Sequence, residues 1–288
     1  MKKVQTGMVI EFYSNSCLVR FNNKNFNCKI KKKLPVVVGD RVGLVQENNE
    51  LFVISINDRF SELCWFKAGE KKPLASNLSH LGILIAESPK TNSEFIDKWI
   101  VLSNYSNIQP FIIFNKIDLS RSSESKEIIN LYKGLGIKLL KVSAKLNDRV
   151  DEINAYLNNK TTILVGQSGV GKSTLTTVLT GHTIKIQPLS KNHGQHTTSS
   201  SKMYAVQKNN GMIIDSPGIR DIDIVHIPKS FLLEVFSEIG FASKSCQFKN
   251  CNHQYESGCA VLEKLNNGTI SKSRYNNFLK FNSIIKNE

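Results

Sequence analysis

Long apolar runs are missing from this 288-residue chain, and no stretch approaches the roughly 18 residues of a membrane-spanning helix. The first residues, MKKVQTGMVIEFYSNS, are basic, but their apolar stretch is too short and too interrupted for a signal peptide. The expectation is a cytoplasmic protein with no membrane partner. Acidic residues are scarce: 24 Asp and Glu stand against 38 Lys and Arg, a formal charge of +14. Such a surplus suits a polyanionic partner, because neutralised phosphates release counterions. A lysine-rich composition that only maintains solubility explains it equally well, so charge alone does not choose. Internal repeats and long low-complexity tracts are absent as well.

Cysteines number only six, and they are unevenly placed. Cys17, Cys28 and Cys64 are isolated and read as small buried side chains. Cys246, Cys251 and Cys259 lie within fourteen residues and bracket His253. Without a secretion signal, that cluster reads as metal-binding before disulfide-bonded.

What is present divides into three stretches. Residues 1–57 hold five short runs rich in β-branched and aromatic residues, separated by Asn, Gly, Asp or Pro. They predict a small β-barrel, with an OB-fold as the natural candidate; an SH3-like barrel gives the same pattern. Residues 58–76 show no clear period and read as a connector. Apolar runs at 81–86, 110–116, 137–144, 161–166 and 211–215 then look like buried parallel strands. Helical patterns at 94–105, 123–134, 148–158 and 172–180 alternate with them, which predicts an α/β sheet covered on both faces. From about 228 the chain is helical, cysteine-bearing and basic.

Gly166, Gln167, Ser168, Gly169, Val170, Gly171, Lys172 and Ser173, followed by Thr174, fit the phosphate-binding pattern G-x-x-x-x-G-K-S/T between a strand and a helix. The glycines let backbone N–H groups converge on phosphate oxygens at the positive end of a helix. Lys172 is expected on the β- and γ-phosphates and the Ser173 hydroxyl on Mg²⁺. Asn115, Lys116, Ile117 and Asp118 follow another strand. An Asp there accepts from guanine N1–H and its 2-amino group, a donor pair that adenine lacks. Ser143 and Ala144 follow the next strand, where guanine binders place a backbone donor for the base oxygen. Together these elements favour GTP over ATP and argue against an ATP-dependent kinase.

Asp215 and Gly218 supply a D-x-x-G element: Asp215 for Mg²⁺ through water, the Gly218 N–H for the γ-phosphate. In the preceding polar loop, Thr197 and Thr198 are candidates for a Mg²⁺ ligand, with Thr198 favoured. The base-reading elements therefore precede the phosphate loop, which is the order of a circularly permuted GTPase. A parallel sheet tolerates that permutation because the site is preserved in space. Ile219 stands where Ras-like proteins carry a water-orienting glutamine, so unaided hydrolysis is expected to be slow. His196 is the candidate replacement; simple packing or an RNA contact is its alternative role. Permutation also places the D-x-x-G segment directly before the cysteine-bearing region, so nucleotide state is expected to reach residues 228–288.

Cys246, Cys251, His253 and Cys259 offer three thiolates and one imidazole, a set matching closed, structural, tetrahedral zinc. One disulfide with a spare thiol is the alternative. The whole chain thus predicts a β-barrel over 1–68, a permuted GTPase domain over 69–225 and a helical zinc-binding domain over 226–288.

The motifs NKID, GQSGVGKST, HTTS, DSPGIR and CQFKNCNHQYESGCAV, in that order behind a barrel, closely resemble the RsgA family of small-subunit-dependent GTPases. The resemblance covers essentially the whole chain. It implies an OB-fold, a permuted GTPase domain and a zinc domain in a cytoplasmic, monomeric protein. It also implies action late in maturation of the 30S ribosomal subunit, on 16S rRNA, with slow GTP hydrolysis stimulated by the subunit and release of another assembly factor. Carried over by position, Asn115, Lys116 and Asp118 read the base, Gly166 to Thr174 hold the phosphates, and the four-residue cluster binds zinc. His196 matches the family's loop histidine, but Gln195 replaces the arginine before it. Asn77, Leu78, Ser79 and His80 stand where relatives often carry Asn, Ile or Val, Asp and Gln. The competing reading is a GTP-controlled RNA-binding switch acting on a different RNA.

Overall fold

The computed structural model describes residues 4–31, 34–67, 70–183, 201–215 and 223–285, with the backbone alone at 65, 67 and 70. Strands β1 (Gln5–Tyr13), β2 (Ser16–Phe21), β3 (Lys24–Ile30), β4 (Arg41–Glu47) and β5 (Glu50–Ile56) close a barrel in the order β1-β2-β3-β5-β4 and back to β1. The β3–β5 pairing is parallel and the others antiparallel. This Greek-key closure is the expected OB-fold. Its interior holds Val9, Cys17, Val19, Cys28, Val42, Leu44 and Val53, all at most 1% exposed.

The connector expected at 58–76 is instead a hairpin of β6 (Glu62–Lys67) and β7 (Glu70–Ser76). Its sequence conceals it, because β7 carries Pro73 and three charged residues of low strand propensity. A buried network attaches it to the barrel. The fully buried Asp40 carboxylate accepts from Arg59 Nε at 2.7 Å, Ser76 Oγ at 2.6 Å and Val37 N at 2.8 Å, while Arg59 also reaches Glu62 at 2.6 Å. Gly39 makes the approach possible: its φ is +97°, and a Cβ there would lie 2.0 Å from the Ser76 carbonyl oxygen. Asn77 donates to the Gly39 carbonyl at 2.9 Å and accepts from Phe60 N at 3.2 Å.

Next come β8 (His80–Ala86), α1 (Ser93–Tyr105), β9 (Gln109–Asn115), α2 (Ser123–Gly134), β10 (Lys138–Lys141), α3 (Val150–Leu157), β11 (Thr161–Gly166), α4 (Lys172–Thr180), β12 (Lys202–Ala205) and β13 (Met212–Asp215). Asn92 caps α1 by accepting from Phe95 N at 2.9 Å, and Ser122 caps α2 from Ser125 N at 3.2 Å. The parallel strands run β10-β9-β8-β11-β13. Both faces are covered, as the continuous apolar runs require. Leu81, Ile83, Ile112 and Phe114 face one core; Leu84, Phe111 and Ile113 face the other, with Ile153, Leu157, Leu175 and Leu179 from α3 and α4. The four residues of β12 were not legible as a strand. They pair antiparallel with β13 and, at Lys202 opposite Glu11, with barrel strand β1. Lys202 Nζ also meets the Glu11 carboxylate at 3.0 Å, so barrel and parallel strands form one continuous sheet.

Helices α5 (Lys229–Val235), α6 (Ser237–Ser243), α7 (Ala260–Asn266) and α8 (Lys272–Ile284) complete the described chain. They share the core on the α1 side of the sheet through Leu232, Phe236, Ile239, Phe278 and Phe281. Arg274, 2% exposed, donates to the fully buried Asp97 of α1 at 2.7 Å and to Glu238 at 2.7 Å. Asp97 also accepts from Tyr132 and Asn277 at 2.7 Å each. No helix of the described residues is long and apolar enough to cross a membrane.

Candidate functional site

Parallel strands deliver their C-terminal ends to one edge of the sheet. Here β9 ends at Asn115, β11 at Gly166 and β13 at Asp215, and the chain leaving β10 reaches Ser143 and Ala144. The central joint is Asn115, 2% exposed. Its Nδ2 donates to the Val170 carbonyl at 2.9 Å, and its Oδ1 accepts from Ala144 N at 3.0 Å. One side chain thus ties the phosphate-type loop to both base-type loops. Gly171 has φ +96°, and a Cβ there would fall 2.3 Å from Asn115 Nδ2, so no other residue fits. Helix α4 begins at Lys172 with no side-chain cap from Gly171, leaving its first N–H groups directed at the site.

Asp118 lies exposed beside this joint and accepts from Ser143 Oγ at 2.5 Å. That bond, with the Lys145 and Lys116 charges, holds its carboxyl below the usual carboxylate range. An ionised acceptor at this position suits a donor pair on a purine edge. Asp215 is half-buried at the end of β13, where burial pushes its carboxyl pKa up and the nearby Lys172 ammonium opposes the shift. A cation-bearing phosphate would keep it ionised.

A third loop belongs to this edge and was missed from sequence. Strand β8 lies between β9 and β11, so residues 87–90 emerge between the two loops. Lys116 Nζ donates to the Ser88 carbonyl at 2.5 Å, Glu87 accepts from Ser122 N at 3.2 Å, and the Pro89 ring stands 3.4 Å from where a Gly169 Cβ would lie. No motif marks these residues; only the strand order reveals them. Lys116, Ile117, Ser143, Gln167, Ser168, Gly169, Ser173 and Thr174 all lie at the same edge. His196, Thr197, Thr198, Gly218, Gln195 and Ile219 lie outside the described residues.

The second cluster is the cysteine–histidine set. The ligand atoms of Cys246, Cys251, His253 and Cys259 lie within 4.8 Å of one another. Cys246 Sγ is 3.9 Å from Cys259 Sγ and 3.6 Å from His253 Nδ1, and Cys259 Sγ is 3.5 Å from that nitrogen. Tetrahedral zinc with bonds of about 2.3 Å to sulfur and 2.0–2.1 Å to nitrogen requires sulfur–sulfur edges near ~3.8 Å and sulfur–nitrogen edges near ~3.5 Å. Those three edges match one closed site, and Cys251 Sγ, within 4.8 Å of the other donors, is the candidate fourth ligand. All three thiols are free, against the disulfide alternative. Burial lowers the His253 pKa, favouring the neutral imidazole that binds metal. Around the ligands, Glu256 accepts from the backbone N–H groups of Asn252, Gln254 and Tyr255 at 2.8, 3.0 and 3.1 Å, and Tyr275 donates to the His253 carbonyl at 2.7 Å.

Comparison with known proteins agrees with this geometry. A family profile described as RsgA GTPase matches residues 56–225. The small ribosomal subunit biogenesis GTPase RsgA of Pseudomonas fluorescens is 32% identical over 288 residues, covering 95% of this chain and 84% of the relative. Its counterpart from Haemophilus influenzae is also 32% identical, covering 95% and 83%. The crystal structure of YjeQ from Thermotoga maritima superposes with a TM-score of 0.76 at 27% identity, covering 98% of both chains. YloQ, a circularly permuted GTPase, has a TM-score of 0.73 at 24% identity over 98% of this chain and 95% of its own, a likeness of fold.

Proposed function

The chain belongs to the RsgA GTPase family, and we propose that it acts on the small ribosomal subunit late in assembly, hydrolysing GTP when docked there. It is a circularly permuted GTPase, converting GTP and water to GDP and phosphate. The observation that supports the reading is the Asn115 joint, which ties the loop after β11 to the chain leaving β10 at one edge of the sheet, beside the exposed Asp118 carboxylate.

In this reading Asp118 accepts from guanine N1–H and the 2-amino group, and the backbone N–H of Ala144 faces the base oxygen. Lys116 lies along the base, braced by its bond to Ser88. Residues Gly166 to Thr174 enclose the phosphates, with Lys172 neutralising charge that develops in transfer. Ser173, Asp215 and Thr198 would hold Mg²⁺, which would offset negative charge on the phosphates during transfer. His196 orients or deprotonates water only after the subunit has positioned its loop. Cys246, Cys251, His253 and Cys259 would hold zinc, which would supply cross-linking rather than chemistry because four protein donors leave no position for water. The protein works as a cytoplasmic monomer and helps release another assembly factor.

The test is GTP turnover by the purified protein alone and with 30S subunits, 50S subunits or protein-free 16S rRNA. Stimulation by 30S alone is expected, and a His196→Ala protein should lose that stimulation while still binding GTP. Equal rates throughout, with GTP bound, would favour a nucleotide-controlled switch on a different RNA.

A further inference from the structure

We propose that the outer edge of the GTPase sheet, at β10, is a docking surface for an RNA phosphate backbone. The proposal rests on the small-subunit reading above and names one surface through which the subunit would be gripped. β10 is the terminal strand of the sheet, with β9 on one side only among the described residues. Four cations are close enough to act on one another there: Lys141 on the strand, Arg121 before α2, Lys133 near its end, and Arg149 at the start of α3; Lys138 adds a fifth charge on the same strand. All are exposed except the half-buried Lys141.

What sets this group apart is the closeness of like charge: Arg121, Lys133 and Arg149 all act on Lys141. Some lysines elsewhere face carboxylates instead, as Lys71 does Glu62 at 2.9 Å, Lys208 Asp151 at 2.9 Å and Lys280 Glu94 at 2.6 Å. Among the described residues, no carboxylate stands within 4.0 Å of Arg121, Lys133, Lys138 or Lys141, and Arg149 reaches Glu152 only at 4.0 Å. Burial, with the Arg121, Lys133 and Arg149 charges, lowers the Lys141 pKa, so these cations repel one another in the free protein. A fold that concentrates like charge against a single, long counter-contact presents a complementary field to a polyanion. RNA is favoured over an acidic protein tail because the cations come from a strand and from both helices flanking it. That spread suits a rigid phosphate track better than a single peptide.

Lysine on an outer strand also blunts unwanted edge pairing. That role needs Lys138 and Lys141, but not the convergence of Arg121, Lys133 and Arg149 upon Lys141.

The experiment measures binding to 30S subunits and to protein-free 16S rRNA, with a non-hydrolysable GTP analogue, across a KCl series. It compares the wild type with Lys133→Gln/Lys138→Gln/Lys141→Gln and with a control, Lys71→Gln/Lys208→Gln/Lys280→Gln. The edge variant should bind subunits and rRNA at least ~10-fold more weakly, and its salt slope should shrink by about two to three, roughly one per phosphate contact. The control should change less than about twofold, since its lysines are already neutralised by partners. Relief of repulsion should leave the edge variant melting no lower than wild type, with unchanged GTP turnover alone. Wild-type affinity and slope in the edge variant would overturn the proposal, as would self-association without weaker binding. Weakened binding to subunits but not to rRNA would also overturn it, pointing to an acidic protein. If the wild type fails to bind subunits, the small-subunit assignment fails instead, and the slope on rRNA alone still decides the edge.

Discussion

At the scale of single residues, two side chains near the base-type loops do different work. Asn115 makes no contact that needs a ligand; it joins Val170 to Ala144 and so sets the spacing between loops. Asp118 is exposed and already ionised at pH values where a free carboxyl begins to protonate, because Ser143 donates to it and Lys145 and Lys116 lie near. Replacing Asp118 with Asn exchanges an acceptor for a donor on the base edge. GTP affinity should fall on the order of 100-fold or more, since two hydrogen bonds to a charged group are lost. Affinity for xanthine nucleotides, whose 2-oxo group accepts from the new amide, should rise. Competition binding with GTP and XTP checks this, and unchanged preference would remove Asp118 from base reading.

At the scale of elements, the β6–β7 hairpin shows how charge holds a segment of poor strand propensity. Burial opposes ionisation of Glu62, but donation from Cys64, Lys71 and Arg59 outweighs it and holds the carboxyl at about 2. A carboxyl whose folded pKa lies below its unfolded value of about 4.3 stabilises the fold above that value. The contribution is lost as pH falls toward about 2. A Glu62→Gln variant should be less stable at neutral pH and show a flatter decline below about pH 5. Urea unfolding at a series of pH values measures both. Parallel curves for the two proteins would mean the pair contributes nothing net.

At the scale of the whole molecule, the C-terminal helices are not an appendage. Their core is continuous with the α1 side of the GTPase sheet, and Arg274 and Asn277 reach the buried Asp97 of α1. At the other end of the sheet, β12 joins the barrel through Lys202 and Glu11. In sequence Asp215 is followed eleven residues later by His226, whose ring stacks on Phe66 of the hairpin at 3.3 Å between centroids. A change of nucleotide is therefore expected to alter hydrogen-exchange protection across 228–288. The comparison is the GDP-bound protein with one bound to a GTP analogue. Identical protection in both states would mean the C-terminal region is a rigid part of the GTPase body.

The family was legible before the shape because its candidate phosphate, base and metal sites are written in short contiguous motifs. GQSGVGKST needs particular residues at particular steps to turn a strand into a helix around phosphate, whatever surrounds it. The same holds for the barrel and for the parallel strands, whose apolar periods report burial on one face or two. Long-range partnership leaves no such trace. The hairpin over 62–76, the strand of Lys202–Ala205 and the loop of residues 87–90 carry weak local patterns; they exist because of what they pair with. Nor does any motif announce that Arg274 will meet Asp97, 177 residues away, or that Arg121, Lys133 and Arg149 will come near Lys141. Those contacts follow from strand order and helix packing, where the free energy of a residue depends on neighbours that only the folded chain supplies.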